Sequence, residues 1–222
     1  TTLDPDVIGR KCKFNIIPTP EEKLPFTEQD LVDQGVIEDV GDLDCSSTSP
    51  PSDDVVQVFI TGQSFIPTNF GGLAGADAKC QERAETAGLT GTWTAWLSDS
   101  TGNAIDRIPD GEYRLLDGTI IADDKADLTF GRLKAPINVN ERGEALTGLA
   151  WTGTSPDGTN TGTNCSDWTQ ATTPGTGGCT AGDDDCGDRG FSEAINSDWT
   201  QITPSPIACN QAFHLYCFGS GE

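Results

Sequence analysis

Eight cysteines and a single histidine in 222 residues constrain this chain more than any other feature. So many thiols in a reducing cytosol would call for a bound metal. The spacings do not supply one: no two cysteines form a CxxC pair, and a closed zinc site would lack its ligand clusters. Disulfides in an exported protein are the simpler reading. The eight cysteines admit roughly a hundred complete pairings, so spacing alone leaves the connectivity open. Each bridge stabilises the fold by roughly 2–4 kcal/mol through restriction of the unfolded chain.

Charge narrows the partners. Thirty-five acidic residues face 13 basic ones, for a formal net charge of -22. That opposes binding to nucleic acid or to an anionic membrane surface and favours divalent cations. After Arg142 the only basic side chains are Arg189 and His214. No stretch approaches the roughly 20 apolar residues that span a bilayer, so no direct membrane insertion is expected. Thr1 reads as the start of a mature or trimmed chain, which leaves export open. The expected location is extracellular or at the cell surface.

Residues 1–52 read as a small leader and linker. Cys12 and Cys45 flank a short helical candidate, with Thr27 as N-cap and Asp30 at N3, and the run from Ser46 to Ser52 is a linker by composition. Residues 53–222 form the main domain, large enough for one core. Its first strand is expected over Val55–Thr61. A helix follows over Leu73–Ala87, with Leu73, Ala76, Cys80, Ala84 and Ala87 as an apolar stripe and Gly88 as its stop. The stripe's alanines imply close packing on a sheet. Trp93–Leu97 reads as a strand. Asp117-Gly118 joins two more, Tyr113–Leu116 and Thr119–Ala122, as a hairpin. From Thr152 to Ser205 the chain turns rich in Gly, Thr, Asn, Asp and Pro, too long for an ordinary connection. Its cysteines and tryptophans imply ordered loops. Ala212–Phe218 closes the domain as a strand, with Phe213, Leu215 and Cys217 inward and His214 toward solvent.

This order of helix, Trp-rich strand, long polar loops and terminal strand resembles the C-type-lectin-like and endostatin-like α+β fold. The resemblance sharpens to a family of exported bacterial domains of unknown function related to that fold. It rests on Gly71-Gly72-Leu73-Ala74-Gly75-Ala76-Asp77-Ala78-Lys79-Cys80, Ala95-Trp96-Leu97-Ser98-Asp99-Ser100 and Ala122-Asp123-Asp124-Lys125-Ala126-Asp127-Leu128-Thr129. It continues through Ala135–Asn140 and Ala150–Thr154 and ends at Leu215-Tyr216-Cys217-Phe218. About residues 56–218 are covered. In lectin-like domains the helix cysteine pairs with the last one and two inner cysteines pair near the loops. The resemblance therefore implies Cys80–Cys217 and Cys165–Cys209, leaving Cys179–Cys186 to staple a loop and Cys12–Cys45 to close the leader. The calcium- and sugar-binding motifs of classical lectins, Glu-Pro-Asn or Gln-Pro-Asp with Trp-Asn-Asp, are absent.

Three groups of residues are candidates for a site. The acidic run Asp183, Asp184, Asp185 and Asp188 offers oxygen ligands of the kind calcium takes, but lacks EF-hand offsets. A solvated acidic loop closed by Cys179–Cys186 is the alternative. Asp123, Asp124 and Asp127 offer a second cation site, or else cap the turn after Ala122 with Lys125 offsetting their charge. The third is an aromatic and polar loop surface of Asn164, Asp167, Trp168, Asn196, Asp198, Trp199 and Asn210. Exposed indoles there would stack on sugar faces while amides and carboxylates bind hydroxyls. The alternative has both tryptophans pinning loops to the core. They sit in a repeated pentapeptide, Ser166-Asp167-Trp168-Thr169-Gln170 and Ser197-Asp198-Trp199-Thr200-Gln201. Asn164-Cys165-Ser166 is a glycosylation sequon.

No Ser-His-Asp arrangement or Gly-x-Ser-x-Gly elbow is present, and paired cysteines leave no free thiol, so the chain is expected to be non-catalytic. The leading expectation is an extracellular binding module for a glycan or a protein ligand, with calcium as the candidate cofactor. The alternative is a structural subunit of a filament, sheath or matrix that self-associates through the leader or exposed strand edges. A secreted glycoside hydrolase using two of the many acids is the third reading.

Overall fold

The computed structural model describes residues 55–173, 178–203 and 206–220. The leader, with Cys12 and Cys45, lies outside them. The strand expected at Val55 is the centre of a mixed sheet. β1 (Val55–Ile60) pairs in parallel with β3 (Glu112–Leu115) on one side and antiparallel with β9 (Tyr216–Ser220) on the other. β2 (Thr92–Ala95) and β4 (Ile120–Ala122) complete the order β2-β9-β1-β3-β4. The architecture is α+β.

Two cores follow from the period-2 alternation of these strands. Val56, Val58 and Ile60 of β1 join Tyr216 and Phe218 of β9 in one, around Trp96, Tyr113 and Trp199. Phe59 and Cys217, facing the other way, pack with Trp93 in the second. There α1 (Leu73–Thr86) lies on the sheet through Ala76, Cys80 and Ala84, one turn apart along a single stripe. Small side chains bring the helix close. Gly75 goes further: a Cβ there would fall 1.5 Å from the Phe70 carbonyl oxygen. Gly88, with φ of 77°, ends the helix as expected. The Cys80–Cys217 disulfide joins the helix to β9.

The hairpin forms at Asp117-Gly118, with the Leu115 N–H donating to Thr119 at 2.9 Å and Gly118 at φ 88°. The closing strand differs from expectation. Its ladder runs over 216–220, while Phe213 and His214 make isolated bridges to Phe65 and Ala150. These residues leave the main sheet to tie down the loop region. Consequently His214 is half-buried rather than solvent-facing, its Nδ1 2.6 Å from the Thr61 carbonyl oxygen.

The edge strand β2 is covered by side chains instead of a sixth strand. Gln81 and Asp77 of α1 accept from the Trp93 and Ala95 N–H groups at 3.0 and 2.9 Å. Arg107, ending α2 (Ala104–Arg107), donates to the Ala95 and Leu97 carbonyls at 3.1 and 2.8 Å and pairs both oxygens of Asp77 at 2.7 and 2.6 Å. An open edge would template pairing with another chain; here the Trp93 and Ala95 N–H groups and the Ala95 carbonyl are already engaged. Asp77→Ala is expected to cost roughly 1–3 kcal/mol in urea unfolding, since it leaves a backbone N–H and a partly buried guanidinium short of partners. A variant as stable as wild type would contradict this account of the edge.

Candidate functional site

The long polar segment is built on two short ladders, β5 (Leu149–Trp151) with β7 (Arg189–Phe191) and β6 (Cys186–Gly187) with β8 (Ile207–Ala208). Between them lies an uncommon backbone. Cys165, Ser166, Asp167 and Trp168 have φ of 55°, 50°, 54° and 62°, one turn of left-handed helix made entirely of non-glycine residues. Each such residue costs roughly 1–2 kcal/mol relative to its right-handed alternative, with Asp among the more tolerant.

Every residue of the turn is held. Cys165 is bonded to Cys209. The Asn164 Oδ1 accepts from the Asp167 N–H at 3.0 Å. The Asp167 carboxylate accepts from the Ser100 N–H and hydroxyl at 2.9 and 2.6 Å and from the Asn164 amide at 3.2 Å. Those bonds hold its pKa below the usual aspartate value, the Ser100 hydroxyl contributing most. Trp168 inserts into the second core against Phe70 and Trp151, and its indole N–H donates to the Ser98 carbonyl at 2.8 Å. The ring leaves no room beside Gly153: a Cβ there would lie 2.6 Å from Trp168 Cζ2. The Ser166 hydroxyl donates to the Asp184 carbonyl at 3.3 Å, which ties the turn to the acidic run.

The expected aromatic surface needs correction. Trp168 and Trp199 are both 0% exposed, so neither indole can stack on a ligand. They also belong to different cores. Asn164 is 8% exposed, with its amide spent on neighbouring side chains, and is closed to glycan attachment in the folded chain. The remaining polar residues separate into two places. Asp167 lies at the left-handed turn and Asn210, exposed, adjoins its disulfide. Asn196 and Asp198 pair with each other at 3.1 Å, where Asn196 bridges Arg132.

The two acidic groups also have local partners. Asp183 accepts from the Thr180 N–H and hydroxyl at 2.8 and 2.7 Å. Asp185 accepts from the Thr172 hydroxyl, Asp184 is exposed, and Asp188 is buried. Asp124 caps α3 (Lys125–Thr129) by accepting from the Asp127 N–H at 2.7 Å, and Asp127 accepts from the Asp123 N–H at 3.0 Å. Lys134, not Lys125, is the cation beside Asp123 and Asp127; Lys125 pairs with Asp110 at 3.0 Å. Among the described residues no three His, Cys, Asp or Glu side chains are placed to hold a metal ion. Neighbouring carboxylates take different partners here, Asp183 within its own turn, Asp185 at Thr172 and Asp123 at Lys134.

Sequence reasoning did not single out Ser98 and Ser100 as site residues. They stand about seventy positions from the turn they hold, so no spacing rule marks them. The loop closure by Cys179–Cys186 is present. With Cys80–Cys217 and Cys165–Cys209 it makes the pairing that the family resemblance implied. Three disulfides fit an oxidising, non-cytoplasmic setting. No helix among the described residues is long and apolar enough to cross a membrane.

Asp188 provides a pH test of the region's packing. Burial pushes its carboxyl above the ordinary value of 3.8, opposed by hydrogen bonds from Thr161 and Gln201 and by the charge of Arg189. A carboxyl raised in the folded state favours folding most below its unfolded pKa, and that contribution is lost as pH rises through the folded value. The stability of Asp188→Asn relative to wild type is therefore expected to grow with pH above about 3.8 and to level off at more acid pH in thermal melts. A difference independent of pH would contradict a buried, charged Asp188.

No curated protein matches the chain. A family model described as "Protein of unknown function (DUF1554)" matches residues 63–184, from Gln63 through the left-handed turn to Asp184. That is more than half of the chain, which belongs to this family of uncharacterised domains.

Proposed function

We propose that this chain is a non-catalytic binding module of the cell surface or extracellular space, related to C-type-lectin-like domains, with a glycan or another extracellular protein as ligand. The observation that carries the reading is the left-handed turn at Cys165–Trp168, held in a costly conformation from every side. Backbone strain of this kind concentrates at functional sites when the surrounding structure over-determines it. Its inner groups are buried, while Ser166 and Asp167 are half-exposed beside exposed Ser100 and Asp184. A rigid rim lowers the ordering cost of binding.

The lectin-like relation draws on the helix-to-last-strand pair Cys80–Cys217, the inner pair Cys165–Cys209, and the first and last of the described strands, β1 and β9, side by side. The buried tryptophans favour recognition by hydroxyls, amides and carboxylates over aromatic stacking on sugars. The occupied β2 edge weighs against a filament joined through that edge. Calcium is retained as a cofactor to be tested through ligand binding rather than through any preformed cage.

A panel of immobilised glycans and extracellular matrix proteins, probed with the disulfide-bonded chain with and without calcium, tests this. At least one saturable ligand is expected, and Asp167→Asn and Ser100→Ala are expected to weaken it about tenfold or more. Absence of any saturable ligand, or a ligand indifferent to both substitutions, would contradict the assignment.

A further inference from the structure

A polar cavity of about 230 Å³ lies away from the left-handed turn, sharing no residue with it. Its floor is a locked ion pair. Glu141, 3% exposed, accepts from Arg83 Nε and Nη2 at 2.8 and 2.5 Å and from the Gly62 N–H at 2.6 Å. Gly62 is held to its size here, since a Cβ would come within 3.1 Å of the Glu141 carboxylate. The rim is a tight turn organised by Asn140. Its Oδ1 accepts from the Arg142 and Glu144 N–H groups at 2.9 and 3.0 Å, and its Nδ2 donates to Glu144 Oε2 at 3.1 Å. Asn140 thus fixes where Arg142 and Glu144 leave the backbone and aims one carboxylate oxygen of Glu144.

Arg142 is the anomaly. In a chain with 35 acidic residues, its guanidinium has no side-chain partner among the described residues. It lines the same cavity as Glu144, two positions along, and the two form no ion pair. Arg142, with no side-chain partner among the described residues, and Glu144, oriented by Asn140, thus line one small space without pairing with each other. The floor pair adds no net charge. No aromatic or aliphatic wall is present, which disfavours lipids and sugar stacking, and the volume is below that of ordinary drug-sized pockets.

We propose that this cavity binds a small zwitterion carrying a carboxylate and an ammonium group, such as a free α-amino acid, with Arg142 receiving the carboxylate and Glu144 the ammonium. Arg presents a planar fork matched to carboxylates, and Glu144 supplies an acceptor already oriented by Asn140. The site is separate from the proposed ligand rim at Asp167, and it stands or falls independently of that rim.

The test titrates the isotope-labelled full chain with L-alanine, acetate and ethylammonium, following backbone amide resonances. L-Alanine is expected to shift Gly62, Arg142 and Glu144 saturably, with acetate and ethylammonium each at least about tenfold weaker. Arg142→Gln and Glu144→Gln, both at exposed positions, are expected to weaken L-alanine about tenfold while leaving the remaining spectrum in place. No saturable shift at these residues, acetate binding as tightly as L-alanine, or variants that bind like wild type would each overturn the proposal. The wild-type comparison of the three probes decides the matter even if a variant folds poorly.

Discussion

The left-handed turn at Cys165–Trp168 is the constraint around which the long loops are arranged. Its conformation is unfavourable by itself, so it exists only through what surrounds it. A disulfide fixes its first residue and an indole buried in the core fixes its last. Asp167, between them, reaches Ser100, at the start of the loop that follows the Trp96 segment. The Gly72 N–H, at the entry to α1, donates to the Trp168 carbonyl at 3.2 Å. One strained turn thereby links the helix entry, the Ser98–Ser100 loop and the acidic run at Asp184. Loosening it would release contacts on several elements at once.

How much of this the chain announces locally is shown by the repeated pentapeptide. Ser-Asp-Trp-Thr-Gln forms a left-handed turn at 166–168 and a right-handed 3-10 turn at 197–199. The same five side chains give opposite hands because their tertiary partners differ. The first copy follows Cys165, which is bonded to Cys209, and its Trp168 reaches the Ser98 carbonyl. In the second copy Thr200 accepts from the Trp96 indole at 2.8 Å and donates to the Thr154 carbonyl at 3.1 Å. Local propensity does not select between these outcomes; distant contacts do. The regular elements were more readable, because period-2 and period-3.6 patterns report burial directly. β1, α1 with its Ala76–Cys80–Ala84 stripe and the Asp117-Gly118 hairpin all follow from such patterns. The two loop tryptophans are half-readable: a large indole in a polar loop marks an anchor, but burial depends on partners about seventy positions away for Trp168 (the Ser98 carbonyl) and about one hundred for Trp199 (the Trp96 ring).

The strong negative charge is handled by distribution rather than by ion cages. Several carboxylates accept hydrogen bonds within their own turns and caps, Asp124 and Asp127 around α3 and Asp183 at Thr180, while Asp167 reaches across to Ser100. The few arginines occupy structural junctions. Arg107 closes the β2 edge with Asp77, and Arg83 locks Glu141 beneath the polar cavity. Against that pattern Arg142 stands out, since a scarce cation is spent where no side chain among the described residues answers it. Spacing alone gives no warning of this cavity, whose walls come from residues 62, 63, 83, 140–142 and 144 and meet only on folding.

The central claim is that the loop rim is rigid because the Cys165–Trp168 turn is over-determined. Amide hydrogen exchange in the oxidised chain tests it most directly, read at Trp168 and Gln170, whose N–H groups donate to the Asn164 and Cys165 carbonyls at 2.7 and 3.1 Å. Protection comparable to that of β1, collapsing when the disulfides are reduced, is the predicted result. Exchange at the rate of an unfolded chain while the disulfides are intact would contradict it.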